Sequence, residues 1–99
     1  MTVLLTGHIQ LGAGEGERLR PALAAHVAKV RGEEGCEGYA FAFDVADPDR
    51  LWIAERWTSR KALAEHGRQE HQRAFSASLR DYDVREVRLE TWSAEPLPR

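Results

Sequence analysis

The spacing of apolar residues switches repeatedly between the strand period of two and the helical period of 3.6, and the order of the switches constrains the fold. Val3, Leu5 and Ile9 fall at even spacing within Val3–Leu11, a strand that the glycine-rich run Gly12–Gly16 ends. From Glu17 to Arg31 the residues Leu19, Leu23, His26, Val27 and Val30 form one helical stripe. Pro21 sits early enough for its missing N–H to cost little, and Gly32 and Gly35 supply the stop. Tyr39, Phe41, Phe43 and Val45 then alternate with smaller residues. Asp47-Pro48-Asp49 is turn chemistry, and Leu51, Ile53, Glu55 and Trp57 alternate again, so the pair reads as a hairpin. Ser59 is a candidate N-cap for a helix carrying Ala62, Leu63 and His66. Gly67 is expected to interrupt it before a second helical stretch through His71, Phe75, Ser78 and Leu79, and a last strand runs from Val84 to Trp92. The order is β-α-β-β-α-β, which predicts an α+β fold: the ferredoxin-like βαββαβ sandwich. One domain is expected over residues 1–95, with residues 96–99 as a C-terminal tail.

A half-solvated antiparallel sheet reads apolar on one parity and polar on the other. Here both parities are partly apolar: Leu4 lies beside Val3 and Leu5, Trp52 and Ala54 beside Leu51 and Ile53, and Val87 and Leu89 precede Trp92. The second sheet face is therefore expected to be covered, most simply by the same face of another subunit in a homodimer.

Composition narrows the function classes. A chain of 99 residues supports one core, and its single cysteine, Cys36, precludes an intrachain disulfide. The net charge of −2, with no block of like charge, argues against nucleic-acid binding. Apolar runs of a few residues fall far short of the ~20 that a membrane-spanning helix needs, so no membrane association is expected. The first eight residues carry no basic stretch and no long apolar stretch, so a cytoplasmic location is expected. The Gly12–Gly16 run matches no nucleotide-binding motif, lacks a lysine and carries Glu15 where a phosphate would sit, so it reads as a loop.

Two longer segments carry a family resemblance. Arg31-Gly32-Glu33-Glu34-Gly35-Cys36 with Tyr39 resembles the R-x-E-x-G-C-x-x-Y segment of the antibiotic biosynthesis monooxygenase family. Glu55-Arg56-Trp57-Thr58-Ser59, running on through Ala62, Leu63 and His66 to His71 and Phe75, resembles its E-x-W-x-S-x-x-A-L-x-x-H segment and the H-x-x-x-F that follows. The resemblance implies a dimeric α+β barrel with a pocket between sheet and helices. It also implies cofactor-free oxidation of quinol- or anthrone-like aromatics by O₂, among other activities found on the fold. The chain departs from that pattern in having no asparagine, a residue that better-understood branches use beside a tryptophan. Gln10, Gln69, Gln72 or a histidine is left to fill that role.

Glu55 and Trp57 lie two apart and share a face of one strand, where a carboxylate is costly to bury unless paired or protonated. His66 or His71 is the nearest expected partner. Such a pair either poises an imidazole as a base or staples strand to helix. His71 shares a stripe with Phe75 and Ser78, which ranks it above His66 for ligand contact. On a continuous helix His66 and His71 diverge by about 140°, which argues against their sharing a metal. Trp57, Phe75, Tyr39 and Phe41 could wall a pocket for a flat apolar ligand or fill the core. His8 is expected at a pocket mouth or a dimer seam, His26 as a satisfied core residue, and Cys36 as an inert thiol.

The reading that follows is a cofactor-free monooxygenase acting on a small aromatic substrate with O₂. In it His71 is the base, Glu55 its orienter, His66 in support, and Trp57, Phe75, Tyr39 and Phe41 line the substrate. No cofactor and no metal are expected. The alternative is a non-catalytic dimeric protein that binds a small ligand, or an isomerase of small metabolites, on the same fold.

Overall fold

Four strands and three helices account for most of the chain in the computed structural model, which describes all residues 1–99. They are β1 (Thr2–Leu11), α1 (Glu15–Val30), β2 (Cys36–Phe43), β3 (Arg50–Trp57), α2 (Arg60–Arg68), α3 (Glu70–Ser78) and β4 (Val84–Ala94). A single 3₁₀ turn, Leu79–Asp81, joins α3 to the last strand. The sheet order is β2-β3-β1-β4, antiparallel at every pairing. This is the expected ferredoxin-like arrangement, and residues 95–99 carry no regular structure.

Strand alternation decides which side chains meet the helices. Val3, Ile9 and Leu11 of β1, Tyr39 of β2, and Leu51, Ile53, Glu55 and Trp57 of β3 are buried on the helix side. Two apolar clusters result. One joins Val3, Val30, Tyr39, Ile53 and Trp57; the other joins Ile9, Leu11, Leu19, Leu23 and Leu51. The α1 stripe read from sequence supplies Leu19, Leu23, His26 and Val30 to that side. β2 stops at Phe43, so Val45, expected in the strand, is fully exposed instead.

Backbone constraints lock the layers together. Asp49 accepts from the amides of Gly14 (3.1 Å) and Gly16 (2.9 Å), so the start of α1 already holds a carboxylate of its own chain. Gly7 allows β1 and β4 to approach, because a Cβ there would fall on the carbonyl oxygen of Arg88. Ser59 caps α2 as expected, its hydroxyl accepting from the Ala62 amide at 3.0 Å.

The break between the second pair of helices is not where the glycine predicts. Gly67 continues α2, and the chain turns at Gln69, whose ψ of 139° is extended. Glycine permits a break without imposing one; the extended Gln69 interrupts the ladder, and its carbonyl starts the next helix by accepting from the Arg73 amide at 3.0 Å.

The other sheet face has no helix on it. Leu4, Ala54, Trp52 and Trp92 lie there, both tryptophans substantially exposed. The indole N–H groups donate within the chain, Trp52 to Asp44 (2.8 Å) and Trp92 to Thr6 (2.9 Å). His8 pairs with Glu86 at 2.8 Å across the same face and packs edge-on against Trp52. Val87 and Leu89 belong by register to the helix side of the edge strand β4, yet remain exposed.

Candidate functional site

The turn that leaves α1 positions the central group of the site. The Glu33 amide donates to the Val30 carbonyl at 2.9 Å, and the Glu33 carbonyl accepts from Cys36 at 3.2 Å. Gly35 follows with φ of +83°, a conformation that favours glycine, and a Cβ there would press on Ala62 of α2. The Thr58 amide donates to the Gly35 carbonyl at 2.9 Å and ties the turn to the end of β3. The Glu33 side chain is thereby driven under α2 and α3 and is only 6% exposed.

Two histidines converge on that carboxylate. His66 Nδ1 lies 3.0 Å from both Glu33 oxygens, and His71 Nε2 lies 2.7 Å from one of them. A carboxylate accepts only, so each imidazole carries its hydrogen on the nitrogen facing Glu33. In a neutral His71 ring this places the hydrogen on Nε2, and Nδ1 has no partner in the chain. His66 is 5% exposed and His71 22%, so His71 is the member that reaches solvent. The turn at Gln69 makes the convergence possible, since a continuous helix would aim the two rings apart.

This corrects the pairing expected from the sequence. Glu55 hydrogen-bonds neither histidine; it accepts from the Trp57 indole N–H at 3.0 Å, two residues along its own strand. The Glu55 carboxyl is pushed up from the ordinary glutamate value chiefly by burial, against the pull of the Trp57 N–H and of His66. The segment that held Glu33 was visible as part of the resemblance. Its role was not, because nothing local says that a turn carboxylate will lie beneath a helix more than thirty residues away.

Aromatic rings surround the histidines. Trp57 lies 4.8 Å from the His66 ring and Tyr39 5.7 Å from it. Burial pushes the Tyr39 phenol well above its ordinary value, which keeps it neutral. Trp57 is completely buried and Tyr39 nearly so, and neither borders any of the five main clefts. Both serve as core beneath the histidines rather than as walls of an open pocket, because the alternation of β2 and β3 seats them in the cluster around Val3 and Val30. Phe41 borders a groove between α1 and β2, with Phe43, Arg20 and Arg31. Phe75 is the expected aromatic that does reach a cleft beside His71.

That cleft lies between α1 and α3, open to solvent, with a volume of about 290 Å³. His26, the histidine expected to be structural, lines it. Its Nε2–H donates to Gln72 at 2.8 Å, and its ring stacks on Phe75 with centroids 4.1 Å apart and planes 6° from parallel. Burial pushes His26 below its ordinary value, so it is neutral near pH 7. Gln72 is thus the candidate glutamine whose side chain bonds a histidine; Gln10 instead bonds Arg50 and Asp47. A second cleft of about 320 Å³ opens on the other side of Glu33, bordered by Glu34, Glu65, Lys61 and Gln69. No group of three or more His, Cys, Asp or Glu side chains is arranged to hold a metal ion. No helix is long and apolar enough to cross a membrane.

The arrangement can hold an imidazole in a fixed orientation, with its second ring nitrogen unpartnered beside a groove that Phe75 and His26 border. Several solved structures share the fold. A putative antibiotic biosynthesis monooxygenase from Deinococcus radiodurans superposes with a TM-score of 0.89 at 22% identity, over 98% of this chain and 96% of that one. A Pseudomonas aeruginosa protein gives 0.85 at 27% identity over 96% and 95%. A Mycobacterium tuberculosis protein gives 0.84 at 25% identity over 100% and 98%. No curated protein matches the sequence. The profile of the antibiotic biosynthesis monooxygenase family matches residues 2–78, from the first strand through the last residue of α3, and the chain belongs to that family.

Proposed function

We propose that the protein is a cofactor-free monooxygenase for a small quinol- or anthrone-like aromatic. The observation that carries this reading is the Glu33–His71 pair beside the α1–α3 groove, 2.7 Å apart, with His71 Nδ1 free. Glu33 takes the orienting role first assigned to Glu55, and His66 holds the second face of the carboxylate. Phe75 and His26 border the groove that takes the ring; Trp57 and Tyr39 support the histidines from below.

In this mechanism His71 Nδ1 removes the acidic hydrogen of the bound substrate. The resulting anion is the reductant for O₂, and loss of water from the hydroperoxide leaves a carbonyl. For an anthrone-type methylene the balance is R₂CH₂ + O₂ → R₂C=O + H₂O, with every electron supplied by the substrate. Oxygen uptake from a panel of quinols and anthrones tests this, with metal chelator present. Uptake above autoxidation that falls on the order of 10²-fold in His71→Ala is the expected result. Uptake that is unchanged in that variant would end the assignment.

The unoccupied sheet face supports a homodimer as part of the proposal. Leu4, Ala54, Trp52 and Trp92 share that face with Arg56, Arg88 and Glu86, and its two exposed tryptophans are the kind of surface that two-fold interfaces bury. The buried state of Trp57 and Tyr39 favours the second reading, a dimeric small-ligand-binding protein. In that case a ligand shifts the melting temperature while no oxygen is consumed.

A further inference from the structure

Two clefts reach the histidine–Glu33 cluster, and their charge differs. The cleft bordered by Glu34, Glu65 and Glu33 itself holds three carboxylates against one lysine. The α1–α3 groove holds no carboxylate; its polar side chains are His26, His71, Lys29 and Ser78. The two helices face each other there with matched spacing. α1 contributes Ala22, Ala25, His26 and Lys29, and α3 contributes His71, Ala74, Phe75 and Ser78, each set at i, i+3, i+4 and i+7. Alanines at 22, 25 and 74 leave the space open, and the Phe75 and His26 rings border it, stacked face to face on each other.

Lys29 is the free cation of this groove. It makes no ion pair, whereas the arginines bordering the neighbouring α1–β2 groove are engaged. There Arg20 lies over the Phe43 ring and pairs with Glu17, and Arg31 donates to the Tyr39 carbonyl. His71 Nδ1 and His26 Nδ1 have no partner in the chain, so the groove offers two unpartnered ring nitrogens and one ammonium beside the Phe75 ring.

We propose that the α1–α3 groove is a binding site for a planar aromatic monoanion, a one- or two-ring carboxylate or phenolate, whose anionic group pairs with Lys29. About 290 Å³ stands just below the ~300–1,000 Å³ range of small-molecule sites and is room for one or two rings. The ring lies against the Phe75–His26 pair with its edge toward His71, and the anionic group points along α1, one turn beyond His26. The assignment rests on the reading of His71 as the substrate side of the site, and it narrows the substrate to an aromatic that carries an acid group.

Redox-inert probes separate this from catalysis. 2-Naphthoate and 2-naphthamide have nearly the same shape and differ in charge, and neither is oxidised by O₂. The expected result by titration calorimetry is naphthoate binding at least ~10-fold tighter than naphthamide. The preference should vanish in Lys29→Met and persist in Lys29→Arg. Ala74→Trp, which fills the groove from an exposed position, should abolish binding of both, and NMR should place the perturbed resonances at Phe75 and His71. Equal affinities, a preference that survives Lys29→Met, or perturbation confined to the Arg20–Arg31 groove would overturn the proposal. Naphthoate selectivity without oxygen uptake from any quinol would leave the anion site standing and remove the oxygenase reading alone.

Discussion

Glu33 Oε2 lies 2.7 Å from His71 Nε2 across thirty-eight positions of sequence, and the same carboxylate holds His66 Nδ1 at 3.0 Å. One buried acid thereby sets the tautomers of two imidazoles and joins the turn after α1 to both of the later helices. A carboxylate with two donors and little solvent is stable only while both donors remain.

Glu33→Gln is therefore expected to cost about 1–3 kcal/mol, since an amide cannot accept from both rings without turning a donor toward one of them. Thermal unfolding should register this as a drop of several degrees. In an active enzyme the variant should also change the pH–rate profile, because His71 loses the group that fixes its hydrogen on Nε2. A profile of unchanged shape would show Glu33 to be structural only.

Glu55→Gln should act in the opposite sense at neutral pH. Burial raises the Glu55 carboxyl in the folded state, so between its unfolded and folded values the native protein holds the extra proton. Stability from this group is present below the unfolded value and is lost as pH rises through the folded one. A glutamine still accepts from the Trp57 N–H without carrying charge. The variant should gain on the wild type as pH increases from 4 to 8, in denaturant titrations at each pH. A stability difference that stays flat across that range would contradict this account.

His26 controls the acid side. Its folded value is lowered, mainly by burial, so below about pH 6.5 the unfolded chain binds a proton that the native one refuses. Stability should fall on acidification from pH 7, with a slope of at most about 1.4 kcal/mol per pH unit from this one group. His26→Gln should be less stable at pH 7 through loss of the Phe75 stack, yet flatter between pH 5 and 7. An equal slope in both proteins would exclude His26 as the source.

The bare sheet face can be tested by mass. Sedimentation should give twice the 11.2 kDa of one chain. Trp52→Glu should weaken association by ~30-fold or more, the scale of a lost tryptophan anchor of about 2 kcal/mol. A wild-type protein that sediments as a single chain at micromolar concentration would remove the homodimer from the proposal.

The sequence by itself determined the elements, their order and the helix-facing side chains. Alternation at Leu51, Ile53, Glu55 and Trp57 and the stripe at Leu19, Leu23, His26 and Val30 are local consequences of strand and helix geometry, and both appear in the structure. Residue types also selected the candidates, since Glu55, His66, His71, Trp57, Tyr39, Phe41 and Phe75 all face the helix–sheet side or its clefts. Only the tertiary structure decided who partners whom. Glu33 reaches the histidines because the left-handed Gly35 folds the turn under α2. His66 and His71 meet there because the chain bends at Gln69 rather than at Gly67. Trp57 and Tyr39 became core rather than pocket because the helices close over them. Periodicity reports the face a residue takes on its own element, and pairing across elements depends on turn geometry that no local pattern encodes.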